Sequence, residues 1–285
     1  MKTLAIPFLL LAAFAAAAEN PSFVVEVKGK GQPMILIPGY ASSGDTWAGT
    51  VARYQGSYEC HVLTLAGFAG VPASNARPFL PAVVDELAVY IKKQKLKKPV
   101  MVGHSLGGVV TLALAAKYPD EVGPLVIVDS LPFLAAVMNP SATVDFVKPM
   151  VDGMRKSFAG QSPEEREKMA EMSIRPMVTG DADYKLIRSW SAKSDPATLA
   201  EAMADMFAMD LREELAKIKS RTIVVGTWIA YKQYATREAV EANFRLQYAK
   251  LKGMRLVIFD TARHFIMYDD PAGFYQAMDE FLQAK

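Results

Sequence analysis

Cysteine is nearly absent. Cys60 stands alone in 285 residues, so no disulfide can form within the chain. Stability has to come from a packed core, which a chain of this length can bury. Histidine is almost as scarce: His61, His104 and His264 are all there is, and no H-E-x-x-H occurs. Zinc hydrolysis therefore has no visible ligand set, and a single cysteine excludes a cysteine-rich metal site. An excess of charge of one sign is missing too. With 32 Lys and Arg against 30 Asp and Glu, the formal net charge is +2. That gives no footing for nucleic acid. The basic cluster "KKQKLKK" (92–98) lies between apolar segments and reads as a solvated helix end. Internal repeats and low-complexity linkers are absent.

A long membrane-spanning run is also lacking. The longest apolar stretch starts at Leu4 and covers about 15 residues, short of the ~20 that cross a bilayer. With Lys2 before it and Ala16-Ala17-Ala18 closing it, residues 1–18 read as a secretory signal peptide removed after Ala18. Its loss takes Lys2 away and leaves a formal charge of +1. The expected location is the periplasm or the outside of the cell, with no stable membrane span after removal.

What is present is an alternation. Short runs rich in Val, Ile and Leu recur at 23–27, 33–39 ("PMILIPG"), 60–67, 98–105 ("KPVMVGHS"), 123–130 ("GPLVIVDS"), 221–227 ("RTIVVGT") and 254–260. Runs that are apolar on both faces suit a parallel sheet covered by helices. Helical spacing appears at 77–94, 106–119, 210–218 and 270–283, the third opening on Asp210 with Glu213 three residues on, a capping arrangement. The pattern predicts a doubly wound, mostly parallel α/β sheet over residues 19–285. Residues 131–209 break the rhythm: they are helical throughout, hold nine of the fifteen methionines, and are expected to form a lid. Most of those methionines are expected to pack the insertion's own core, and some to face a pocket.

Within that frame, 102–108 reads VGHSLGG, a G-x-S-x-G pattern around Ser105 with a strand before it and a helix after it. A sharp strand-to-helix turn crowds the positions two before and two after the serine, so only small residues fit at Gly103 and Gly107. Gly108 lets the helix pack closely. The helix N-terminus beneath offers free N–H groups. A serine hydroxyl needs a base. His61 lies in a strand that reads as buried, and His104 adjoins Ser105 on a turn whose successive positions point apart. His264, in "DTARHFIMYDDP" just past the last strand, is the base by elimination and placement.

Strand, "GHSLGG", inserted helices and a late histidine together resemble the α/β-hydrolase superfamily, and its lid-bearing serine esterases in particular. The resemblance spans about residues 23–285. It implies an oxyanion hole built from the backbone N–H groups of Leu106 and Tyr40, although Pro38 stands in "PGY" where His-Gly is usual. Ser105 in place of a carboxylate nucleophile separates the chain from haloalkane dehalogenases and epoxide hydrolases. The family's acid most often follows the strand ending here in "VVGT", yet "TWIAYKQY" (227–234) carries no carboxylate. Members that place it one strand earlier would use Asp129, which ends a buried strand and wants a partner. Glu238, Asp260 or a Ser–His dyad remain the alternatives.

The implied activity is hydrolysis of carboxylic esters with hydrophobic acyl or aryl groups through an acyl-enzyme, with Ser105, His264 and Asp129 catalytic. No metal or organic cofactor is expected, and a small-molecule ester is the expected partner. The side chains of Tyr40 and Ile266 are expected to make the pocket apolar. The same constellation could serve thioesters, lactones, C–C bonds or acyl transfer, or the chain could be a non-catalytic ligand-binding protein on this fold.

Overall fold

The computed structural model describes residues 20–137 and 139–284. The expected signal peptide lies outside them. Seven strands form one sheet: β1 (Phe23–Gly29), β2 (Gln32–Ile37), β3 (Tyr58–Leu65), β4 (Val100–His104), β5 (Leu125–Val128), β6 (Thr222–Thr227) and β7 (Arg255–Phe259). Their order is β1-β3-β2-β4-β5-β6-β7. Only β1 runs antiparallel to its neighbour, β3; all other pairs are parallel. Strand order reverses direction between β2 and β4, the place where sheets of this kind bind ligands.

Side-chain alternation sends each central strand's residues to opposite layers. Ile35 and Ile37 of β2 join Met101 and Ile127 in one buried cluster, while Met34 and Leu36 join Val100 and Val126 in another. The first layer is covered by α2 (Phe79–Lys93), α3 (Leu106–Lys117) and α8 (Arg237–Gln247). The second is covered by α1 (Ala48–Tyr54) and α10 (Pro271–Gln283). Helix α3 is buried from Leu106 to Ala116, which is why its sequence is apolar all round.

Between β5 and β6 the chain runs through four helices: α4 (Val144–Gly160), α5 (Pro163–Ile174), α6 (Asp181–Ala192) and α7 (Pro196–Ala208). Local chemistry marks their starts. The Thr143 side chain accepts from Phe146 N–H. Ser162 and Glu165 form a reciprocal capping box before Pro163. Asp195 accepts from Thr198 N–H, with Pro196 next. A short helix, α9 (Ile266–Asp269), precedes α10.

One expected helix is not there. Over 210–218 only a 3₁₀ turn forms, Glu214–Lys217. The Asp210 carboxylate, read as a helix cap, is instead held by the Arg212 guanidinium at 2.6 and 2.9 Å and by the Arg212 N–H at 3.1 Å. The same guanidinium reaches the carbonyls of Pro140 and Ala142, pinning this segment to the start of the insertion.

Candidate active site

Because β2, β4, β5 and β7 share one direction, the residues that follow them emerge at one edge of the sheet. Tyr40 comes after β2, Ser105 after β4, Asp129 after β5 and His264 after β7. Ser105 sits at φ +52°, ψ −117°, a conformation L-residues rarely hold. The glycines show why the turn can close. A Cβ on Gly103 would lie 2.3 Å from Gly107 O, and one on Gly107 would lie 2.3 Å from Ile37 O. One on Gly108 would lie 2.5 Å from Ser130 Cβ, so α3 approaches the turn after β5 as closely as it does only with glycine there. The N–H of Ser105 donates to Val128 O at 2.8 Å and locks the turn to β5.

Asp129 is strained as well, at φ +43°. Its N–H donates to Val225 O at 2.7 Å. Both carboxylate oxygens are engaged: Oδ1 accepts from Thr227 N–H at 3.0 Å and Oδ2 from His264 Nδ1 at 2.6 Å. A carboxylate can only accept, so Nδ1 carries the proton and Nε2 is left as the basic nitrogen. The side chains are 3% and 12% exposed, dry enough for the pair to hold one geometry while the ring still reaches the cavity. The other carboxylates considered stand apart. Asp260 is exposed and bound by Arg237 Nε at 2.6 Å and Trp228 Nε1 at 2.9 Å. The bond to Arg237 holds its carboxyl below the usual range. Glu238 is exposed in the first turn of α8.

His104 is fully buried, its ring 4.5 Å from that of His264, and its Nε2 donates to His264 O at 3.0 Å. Burial, reinforced by the neighbouring His264, pushes its pKa well below the ordinary value. It is a neutral brace under the His264 loop, not a second base. His61 is buried too, within β3, bonded to Tyr90 OH at 2.8 Å and Glu59 at 2.9 Å, and does not line the cavity described below.

The backbone N–H groups of Tyr40 and Leu106 donate to no protein acceptor among the described residues, and Leu106 is the first residue of α3. Both flank Ser105. A Cβ on Gly39 would come within 2.8 Å of His104 Nδ1 and 3.3 Å of Ser105 Cβ, so the β2 turn approaches the serine closely.

The edge opens into a cavity of about 1340 Å³ bounded by Tyr40, Ser105 and His264 below and by the insertion above. Four of the insertion's methionines line it: Met169, Met177, Met203 and Met206. Ile266 does not, contrary to expectation. It is fully buried in the second core layer, and Phe265 takes its place in the wall. The short helix α9 turns successive side chains apart, and that rotation buries Ile266.

Sequence reasoning passed over the ties between the insertion and these loops. Tyr40 OH donates to Leu199 O in α7 at 3.1 Å. Phe265 N–H donates to Met177 O at 3.2 Å. Asp269 accepts from Thr179 N–H at 2.8 Å and from Arg263 N–H at 2.8 Å. It also passed over Thr227, whose N–H completes the Asp129 site from the loop that lacks a carboxylate. No motif announces bonds between residues so far apart in sequence. Among the described residues no group of three or more His, Cys, Asp or Glu side chains could hold a metal. Among the same residues no helix is long and apolar enough to cross a membrane.

The alpha/beta hydrolase family model matches residues 34–277. The chain belongs to that family. It is 25% identical over 266 residues to the pimeloyl-[acyl-carrier protein] methyl ester esterase of Aeromonas hydrophila, covering 92% of this chain and 99% of that one. Its fold matches a hydrolase from Pseudomonas aeruginosa PA01 (TM-score 0.77, 18% identity, 92% and 94% of the two chains). It also matches the enol-lactonase from Burkholderia xenovorans LB400 (TM-score 0.75, 18% identity, 94% and 99%). The chain is thus a hydrolase of this family, on a mixed, mostly parallel seven-stranded sheet.

Proposed function

We propose that the protein is a serine hydrolase that cleaves carboxylic esters with hydrophobic acyl or aryl groups. The observation that carries this reading is the 2.6 Å bond from His264 Nδ1 to Asp129, which leaves Nε2 as the basic nitrogen at the cavity that Ser105 also lines. In this mechanism His264 takes the proton of Ser105 Oγ as the oxygen attacks the ester carbonyl. The tetrahedral oxyanion forms between the N–H groups of Tyr40 and Leu106, each worth about 3–4 kcal/mol to the transition state. His264 then protonates the departing alcohol, and an acyl-enzyme remains. Water deprotonated by the same nitrogen releases the acid. Asp129 fixes the tautomer and stabilises the imidazolium. Residues 131–209 act as the lid, and the ester cleavage for which the Aeromonas relative is named supports an ester as the bond cleaved.

A fluorophosphonate tests this directly. Labelling of Ser105 in the purified protein, lost in Ser105→Ala, is the expected result by mass spectrometry. An unlabelled, folded protein would remove the reading and leave a ligand-binding role. The reading also includes export, on the strength of residues 1–18. A mature N-terminus at residue 19 in protein recovered outside the cytoplasm is the expected result.

A further inference from the structure

The cavity's two sides differ in chemistry. The wall formed by the turn after β5, by α7 and by α8 is mostly apolar, with Leu134, Met203, Met206, Val240 and Phe244, and its uncommitted polar groups, Ser130 and Asn243, are uncharged. The wall formed by α5 and α6 adds Arg166, Glu167, Arg188 and Ser191 to apolar Met169, Ile174 and Ile187. Four lining residues bear full charges: Asp129, Arg166, Glu167 and Arg188. Asp129 is taken by His264, and Glu167 is paired with Arg188. Arg166 is left over. It is half-buried in the first turn of α5, and among the described residues its side chain makes one hydrogen bond, from Nη1 to the Gln161 carbonyl. No carboxylate lies within ion-pair distance of it among the described residues; Glu164 feels its charge without bonding it. A guanidinium presents five donors in a fixed fork and is the side chain best suited to a carboxylate or phosphate. One partly removed from water and facing a substrate cavity is a receptor for such a group.

We propose that the substrate is an amphiphilic ester, apolar around the scissile bond and ending on one side in an anionic group that Arg166 receives. This rests on the serine-hydrolase reading and narrows it. The apolar wall takes the uncharged side of the ester, and the α5–α6 wall takes the charged one. Arg166 is then a specificity residue that touches substrate away from the reacting atoms.

The test uses two ester series of 6 to 12 carbons and the full mature protein. In one the anion is on the acyl side, as monoesters of linear dicarboxylic acids with a neutral alcohol. In the other it is on the alcohol side, as fatty acyl esters of ω-hydroxy carboxylic acids. Each is compared with its uncharged ester of equal length. The expected result is a preference for the anionic member of one series, carried by KM. Arg166→Gln lowers the ratio of anionic to neutral kcat/KM by about 10- to 100-fold, and Arg166→Lys keeps part of it. The series that shows the effect says which side of the ester carries the anion. A ratio within about twofold of wild type in Arg166→Gln for both series overturns the inference while leaving the esterase reading intact. No turnover of any ester together with an unlabelled Ser105 removes both.

Discussion

Asp129 grips His264 through a 2.6 Å hydrogen bond from a backbone held at φ +43°, a strained position that the Asp129–Val225 and Thr227–Asp129 hydrogen bonds stabilise. Strain of this kind persists where the surroundings over-determine it. Asp129→Asn keeps an acceptor for Thr227 N–H but turns an amide N–H₂ toward Nδ1, which favours the wrong tautomer. The expected outcome is a fall in kcat of the order of 10⁴-fold with the fold intact by circular dichroism. Activity within tenfold of wild type would move the acid away from Asp129.

Tyr40 is tied at both ends of its side chain. Its ring packs edge-on against Phe68 at 5.8 Å and its hydroxyl reaches Leu199 O, so α7 holds the loop that carries the proposed oxyanion donor. Tyr40→Phe removes that tether without changing the backbone donor. Stability should fall by about 1 kcal/mol, a Tm shift of roughly 2–4 °C. The informative readout is the kinetic split, in which kcat drops about three- to tenfold while KM stays near wild type. An effect confined to KM would make Tyr40 OH a wall of the pocket and not a brace for the oxyanion donor.

Much of this site can be read along the chain because its parts are local. Gly103 and Gly107 bracket Ser105 at the spacing the turn demands, and the glycines collide with backbone as soon as a Cβ is added. Scarcity did the rest: of three histidines, His61 lies within a strand and His104 adjoins Ser105, which leaves His264 as the candidate base. Asp129 stands out as a charge ending an apolar run. What failed depended on three-dimensional context. Asp210 has the pattern of a helix cap, but the Arg212 guanidinium two residues on outcompetes the helix for its carboxylate. Ile266 sits beside the site in sequence and beneath it in space. The Tyr40–Leu199 bond joins residues 159 apart, and neither has a sequence signal that names the other.

Gly107, like Gly103, has no room for a side chain. Its missing Cβ would fall 2.3 Å from Ile37 O and 2.6 Å from Pro38 O, both backbone atoms that cannot rotate away. Gly107→Ala should therefore force β2 and α3 apart, costing about 3 kcal/mol and displacing Ser105 with it. The expected observation is a protein that melts roughly 6–12 °C lower and no longer reacts with fluorophosphonate. A variant that folds and labels like wild type would show that the turn relaxes easily.

Asp205 gives a pH dependence whose sign can be worked out. It lies buried on α7, accepts from Leu80 N–H at 2.9 Å at the uncapped start of α2, and meets Arg155 at 3.4 Å. Burial pushes its carboxyl above the ordinary value, and the bonds to Leu80 and Phe79 offset that only in part. In the window between its unfolded and folded pKa the folded chain holds more protons, so its contribution to stability is present at the acid side and lost as pH rises. Asp205→Asn keeps an oxygen for Leu80 N–H and does not titrate, and the contact it gives up is a long one, 3.4 Å, to a guanidinium that Glu201 also holds. The variant should melt a few degrees above wild type at pH 8, by about 2–4 °C for each kcal/mol. The gap should close as pH falls into the carboxylate range. Thermal melts from pH 4 to 8 check this. A variant that is less stable than wild type, by a margin that grows with pH, would mean that ionised Asp205 strengthens the joint between α7 and α2.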